Sequence, residues 1–200
     1  MKNFQIKGAP TCRIVYPRGL FEKLPVKGAE GDPKYNAIIL IPKDDHAKVS
    51  QVQEQFAEAF KELQSKGYKG KTVKALNPKN VCLVDGDELA DAQDGKEQFR
   101  GFLMLKVASK NFRPIVADMQ KRIIINGVPL ANVPVENLSP EELADGDYIF
   151  ANVSFWTYNN AAAQGIGANV HAIVRAAEGD THFGGSSDNV GDYINTEDYE

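Results

Sequence analysis

Two hundred residues with 42% apolar content are enough for one domain whose core needs no covalent staple. Two cysteines in apolar runs, Cys12 and Cys82, without CxxC spacing exclude a disulfide framework and predict buried thiols in a reducing cytoplasm; no apolar leader follows Met1, and no run is long enough to cross a membrane. The net charge of −4 argues against a nucleic-acid ligand only until its distribution is seen: all 23 Lys and Arg lie before residue 186, whereas Asp188, Asp192, Glu197, Asp198 and Glu200 crowd the last fifteen positions.

In chain order, residues 11 to 16 and 35 to 41 read as strands, rich in β-branched and aromatic residues and closed by Pro17 and Pro42. Val49, Val52, Phe56, Ala59, Phe60 and Leu63 recur at helical spacing and predict a helix over 45 to 66, capped by Asp44 or Asp45 and ended by Gly67. A basic turn and an acidic surface loop from Asp85 to Glu97 follow. Strands resume at 100 to 108, 115 to 116, 123 to 125, 148 to 158 and 165 to 174, with at most one helical turn at Pro140. This order predicts a mainly β protein, a five-stranded OB barrel with one inserted α-helix and long loops. The domain spans 1 to 185, and a Gly-Gly-Ser-Ser join leads to a flexible acidic tail over 186 to 200.

Alternation along a strand separates its two faces. Over 148 to 158 the inner set is Ile149, Ala151, Val153 and Phe155, and the outer set holds Tyr148, Phe150, Asn152, Ser154, Trp156 and Tyr158. Over 101 to 108 the outer set holds Phe102, Met104 and Lys106. So aromatic an outward face is a large apolar patch unless flat groups stack on it, and bases do so where cations track the phosphates. The cations are Arg13, Lys34, Lys43, Lys106, Lys110 and Arg113, interleaved with Tyr16, Tyr35 and Phe112. For Phe102 and Phe150 a second buried face is the alternative. Trp156 and Tyr158, beside Asn159-Asn160 and each with a polar ring atom, suit a wet site better.

Other chemistries fail on spacing. The stretch from Asp85 opens like a calcium loop but has Leu89 at a ligand position and Ala90 where glycine is required. Gly165-Ile166-Gly167 lacks the third glycine of a dinucleotide fingerprint and fits a close backbone approach within a strand. His46, His171 and His182 form no ligand-like cluster.

Four segments together resemble the single-stranded-DNA-binding proteins of tailed bacteriophages. They are Arg13-Ile14-Val15-Tyr16 with Leu20-Phe21-Glu22; Pro33-Lys34-Tyr35-Asn36-Ala37 running into Leu40-Ile41-Pro42-Lys43; Arg113-Pro114-Ile115-Val116-Ala117-Asp118; and Phe155-Trp156-Thr157-Tyr158-Asn159 before Gly165-Ile166-Gly167-Ala168. The resemblance implies an OB-fold, non-enzymatic protein without cofactor or metal, coating single strands during replication and recombination in the cytoplasm of an infected bacterium. It also implies a weaker affinity for duplex DNA, a homo-oligomer or cooperative array on DNA, and docking of replication proteins on the tail through Asp188, Asp192, Tyr193, Glu197, Asp198, Tyr199 and Glu200. Related tails commonly finish in an aromatic residue, whereas here Glu200 follows Tyr199. The rival readings are a protein-protein module of phage replication or assembly and a small nuclease or nucleotide hydrolase.

Overall fold

A computed structural model describes residues 3–25, 32–66, 73, 75–125, 128–136, 138–160 and 163–183. The tail, and with it all seven tail residues named above, lies outside the described residues. Nine strands are present among them: β1 (Phe4–Gln5), β2 (Cys12–Val15), β3 (Tyr35–Pro42), β4 (Leu83–Asp85), β5 (Phe102–Ser109), β6 (Ile115–Ile125), β7 (Val128–Glu136), β8 (Tyr148–Asn159) and β9 (Gln164–Ala177). They form one sheet in the order β4-β5-β3-β2-β8-β9-β6-β7, with β1 on the side of β8. All pairings are antiparallel except β6 with β9. The mainly β architecture matches expectation, but the strand ladder is open and does not form a closed barrel. Its curl is drawn together at a narrow seam, where the Cys82 N–H donates to Ile166 O at 2.9 Å and Lys106 N–H donates to Cys82 O at 2.8 Å.

The main core lies on the inner face. Ile39, Ile41, Leu105, Val153, Phe155 and Val170 meet Val52, Ala59 and Leu63 of α1 (His46–Lys66) there. The apolar stripe of α1 is the one its periodicity predicts, and Phe56 stands edge-on to Phe155 with centroids 5.7 Å apart. Asp45 caps the start by accepting the Lys48 N–H, while its second oxygen takes a hydrogen bond from Thr11 at 2.7 Å. Burial pushes both thiols, Cys12 and Cys82, up to about 12, consistent with core residues.

Three expectations are corrected. The acidic stretch after Asp85 is not a long loop but contains a second helix, α2 (Gly86–Ala92). Asp85 caps it by accepting the Asp87 and Glu88 N–H groups, and those two acids favour its first turn through the helix dipole. Strand β7 is masked in the sequence by Pro129 and Pro134, which a strand tolerates when it ends the sheet, as β7 does. Finally, the outer face is partly roofed. Val15, Tyr16, Ile38, Leu40, Phe99, Met104 and Phe183 make a second apolar cluster, so β3 is buried on both sides.

Candidate nucleic-acid interface

The outer face divides along β8. At its start Arg13 lies over the Tyr148 ring at 4.1 Å and donates to the Tyr148 hydroxyl at 2.5 Å. Arg13 also pairs with Asp180 at 2.5 Å. Nearby Phe102 stands edge-on to Phe183 at 5.4 Å. The Phe183 N–H is held by Asp145 at 2.7 Å, so the segment ending at Phe183 covers this end of the sheet. An open groove of about 540 Å³ runs between Arg13, Lys43, Arg100, Phe102 and Tyr148. Its cations already have counter-ions: Lys43 sits between Asp85 and Asp87 at 2.5 and 2.6 Å, and Arg100 pairs with Asp91 and Glu97. Of two rings expected at the DNA face, Tyr16 is buried in the second cluster and Phe102 packs partly buried against it, edge-on to Phe183 from far along the chain.

The far end of β8 is different. Trp156 is opposite Gly167 and Tyr158 is opposite Gly165 on β9. A Cβ at Gly167 would overlap the Trp156 indole, and one at Gly165 would overlap both the Tyr158 ring and the Asn80 carbonyl. The two glycines are therefore the floors on which the rings rest, a use of the Gly-x-Gly that its sequence context reads only as a close backbone approach. The ring centroids are 5.3 Å apart, and Trp156 is 42% exposed. The Tyr158 hydroxyl donates to Asn80 O at 3.2 Å, which fixes that ring's direction.

Phe112, in the loop between β5 and β6, joins this region because His171 of β9 stacks against it. The loop also carries Lys110 and Arg113; Lys110 makes an exposed pair with Asp32, and Arg113 lies 6.0 Å from the Phe21 ring. Tyr35 pairs with Ser109 at the foot of the same loop, which puts Lys34 and Tyr35 alongside, with Lys23 5.6 Å from the Tyr35 ring. Lys106 faces outward, since its neighbours Leu105 and Val107 point into the core, and the seam links it through Cys82 to the strand carrying Gly165 and Gly167. Burial lowers its pKa, and no acid pairs with it among the described residues. Phe150 is half-buried on the same outer face of β8 and joins neither cluster. Thus Lys110, Phe112 and Arg113 share one loop with Lys34 and Tyr35 beside its foot, Tyr35 having the inward parity of Ala37 and Ile39; Trp156 and Tyr158 lie at the far end of β8, Lys106 lies opposite Ile38 of the second cluster, and Arg13, Tyr16, Lys43 and Phe102 lie at the roofed end. His171 was not expected here, and its partners lie too far off in sequence to signal it locally.

Among curated protein sequences, none matches the chain significantly. Solved structures of a single-stranded DNA-binding protein from bacteriophage Enc34 do match in fold. One, in complex with single-stranded DNA, is 23% identical with a TM-score of 0.64, covering 86% of each chain. Another, of the protein from the same phage, is 21% identical with a TM-score of 0.61, covering 88% of this chain and 82% of that one. This likeness places the open, curled sheet among the OB-like folds. The family described as "Enterobacter phage Enc34, ssDNA-binding protein" matches residues 7–200, and the chain belongs to that family.

Proposed function

We propose that this protein is a non-enzymatic single-stranded-DNA-binding protein that coats phage DNA during replication and recombination, largely without regard to sequence. The observation that carries the reading is the pair of rings, Trp156 and Tyr158, seated on Gly167 and Gly165 at the open end of the outer face. Such rings stack any base, and in this reading Lys34, Lys106, Lys110 and Arg113 supply the phosphate attraction that single-strand binding needs. Family membership supports the same ligand. The acidic residues from 186 onward serve in this reading as a handle for replication proteins and as a competitor for the basic face; neighbouring copies line up along the strand in the cytoplasm of the infected host.

The test is fluorescence anisotropy with a labelled oligothymidylate and a matched duplex from low to physiological salt. Tighter binding of the single strand, with log affinity falling linearly in log salt, is the expected result. Absence of salt-dependent binding to either would instead favour a protein-protein module.

A further inference from the structure

Strand β9 contains two residues more than its partner needs, Ala176 near its end and His171 in its middle. Val170 pairs with Val153 and Ala172 with Asn152, which leaves His171 opposite nothing on β8. The inner positions accordingly run Ile166, Ala168 and Val170 before the bulge and Ile173 after it. A bulge disrupts the ladder locally, and next to binding sites it serves to re-aim a side chain. The bulge returns Ile173 to the core after Ala172, while alternation from the buried Val170 already sends out the His171 imidazole. Its Nε2 lies 2.7 Å from Ser154 Oγ, and its ring lies parallel to Phe112, with centroids 5.2 Å apart and planes at 11°. Burial holds the imidazole pKa below its usual value, so the ring is neutral at neutral pH and acts through its shape.

Phe112 is held from its backbone as well. The buried Ser109 hydroxyl donates to Phe112 O at 2.6 Å and accepts the Phe112 N–H at 3.4 Å. A 40% exposed loop phenylalanine is thus fixed at the main chain and along one ring face. A ring ordered beforehand loses less freedom when a ligand stacks on it. The arrangement repeats that of Trp156 and Tyr158, with His171 in place of a glycine floor.

We propose that His171 is a positioning residue, outward-facing at a β9 bulge and oriented by Ser154, which makes Phe112 a third preorganised base platform. This inference rests on the single-strand-binding reading of the face. The experiment is a double-mutant cycle in the full chain, with His171→Ala, Phe112→Ala and the double variant assayed by anisotropy on fluorescein-labelled oligothymidylate, and thermal melts confirming the fold. Phe112→Ala should weaken binding about tenfold. His171→Ala should weaken it about three- to tenfold alone and add nothing once Phe112 is gone. His171→Phe keeps a flat ring and should recover most of the loss. Ser154→Ala provides a second probe if His171→Ala fails to fold, with a smaller loss seen only when Phe112 is present.

An equal effect of His171→Ala with and without Phe112, or no effect from any of these changes, overturns the proposal. Trp156→Ala separates this from the broader reading. If it weakens binding while the His171 and Ser154 variants do not, the positioning role alone fails; if it has no effect while His171 and Phe112 stay coupled, the Trp156 assignment fails and this one stands.

Discussion

The two ends of strand β8 carry the same kinds of residue and use them in opposite ways. At the Tyr148 end an aromatic ring and an arginine are closed in, Arg13 by Asp180 and Tyr148, and Phe102 by Phe183. At the Trp156 end the rings have glycine beneath them, and the indole remains open to solvent. Interleaved aromatic and basic residues therefore do not by themselves define a nucleic-acid face. What decides is whether an acid and a covering segment are supplied from elsewhere, and here Asp145 and the stretch from Gly179 to Phe183 supply the cover at one end only.

Removing that cover should have the largest effect. Phe183→Ala deletes a ring that is 6% exposed and should cost about 3 kcal/mol of stability or more, read as a lower denaturant midpoint, without changing the salt slope of DNA binding. A small stability change would mean that the roof contributes little to the fold. At the other end Trp156→Ala or Tyr158→Ala should weaken oligonucleotide binding by about 1 to 3 kcal/mol and leave the melting temperature nearly unchanged, apart from about 1 kcal/mol for removal of the Tyr158 hydrogen bond to Asn80. A double variant that melts far lower would reassign the rings to the core.

The cations give a smaller but sharper contrast. Replacing Lys34, Lys106, Lys110 or Arg113 by Ala should flatten the log-log salt dependence by about 0.7 for each side chain that holds a phosphate. Arg13→Ala and Lys43→Ala should leave that slope in place and lower stability instead, because carboxylates neutralise both side chains where they are largely covered, whereas the Lys110–Asp32 pair is exposed and readily exchanged for phosphate. Similar slopes for the two groups would erase the distinction between the ends.

Much of this architecture is legible in local pattern. Period-two alternation in β8 sorts Ile149, Ala151, Val153 and Phe155 into the core and Trp156 out of it, because strand parity is a local property. The α1 stripe is legible for the same reason, with a period of 3.6. Parity reports which side of the sheet a residue occupies and nothing about what lies over it. Phe102 is partly covered by Phe183, Tyr16 is buried in the same cluster, and the neutralisation of Lys43 depends on Asp85 and Asp87 at the start of an unexpected helix. The bulge at His171 has no local signature, because a one-residue register change shows only against the partner strand.

Trp156 is the single tryptophan of the chain, so its emission reports on the central claim directly. The measurement is intrinsic fluorescence of the full protein titrated with unlabelled oligothymidylate, alongside anisotropy on the labelled strand. Base stacking on the indole predicts saturable quenching with the same midpoint as the anisotropy curve, abolished together with binding at high salt. Tight, salt-dependent binding that leaves the Trp156 emission unchanged would contradict the account.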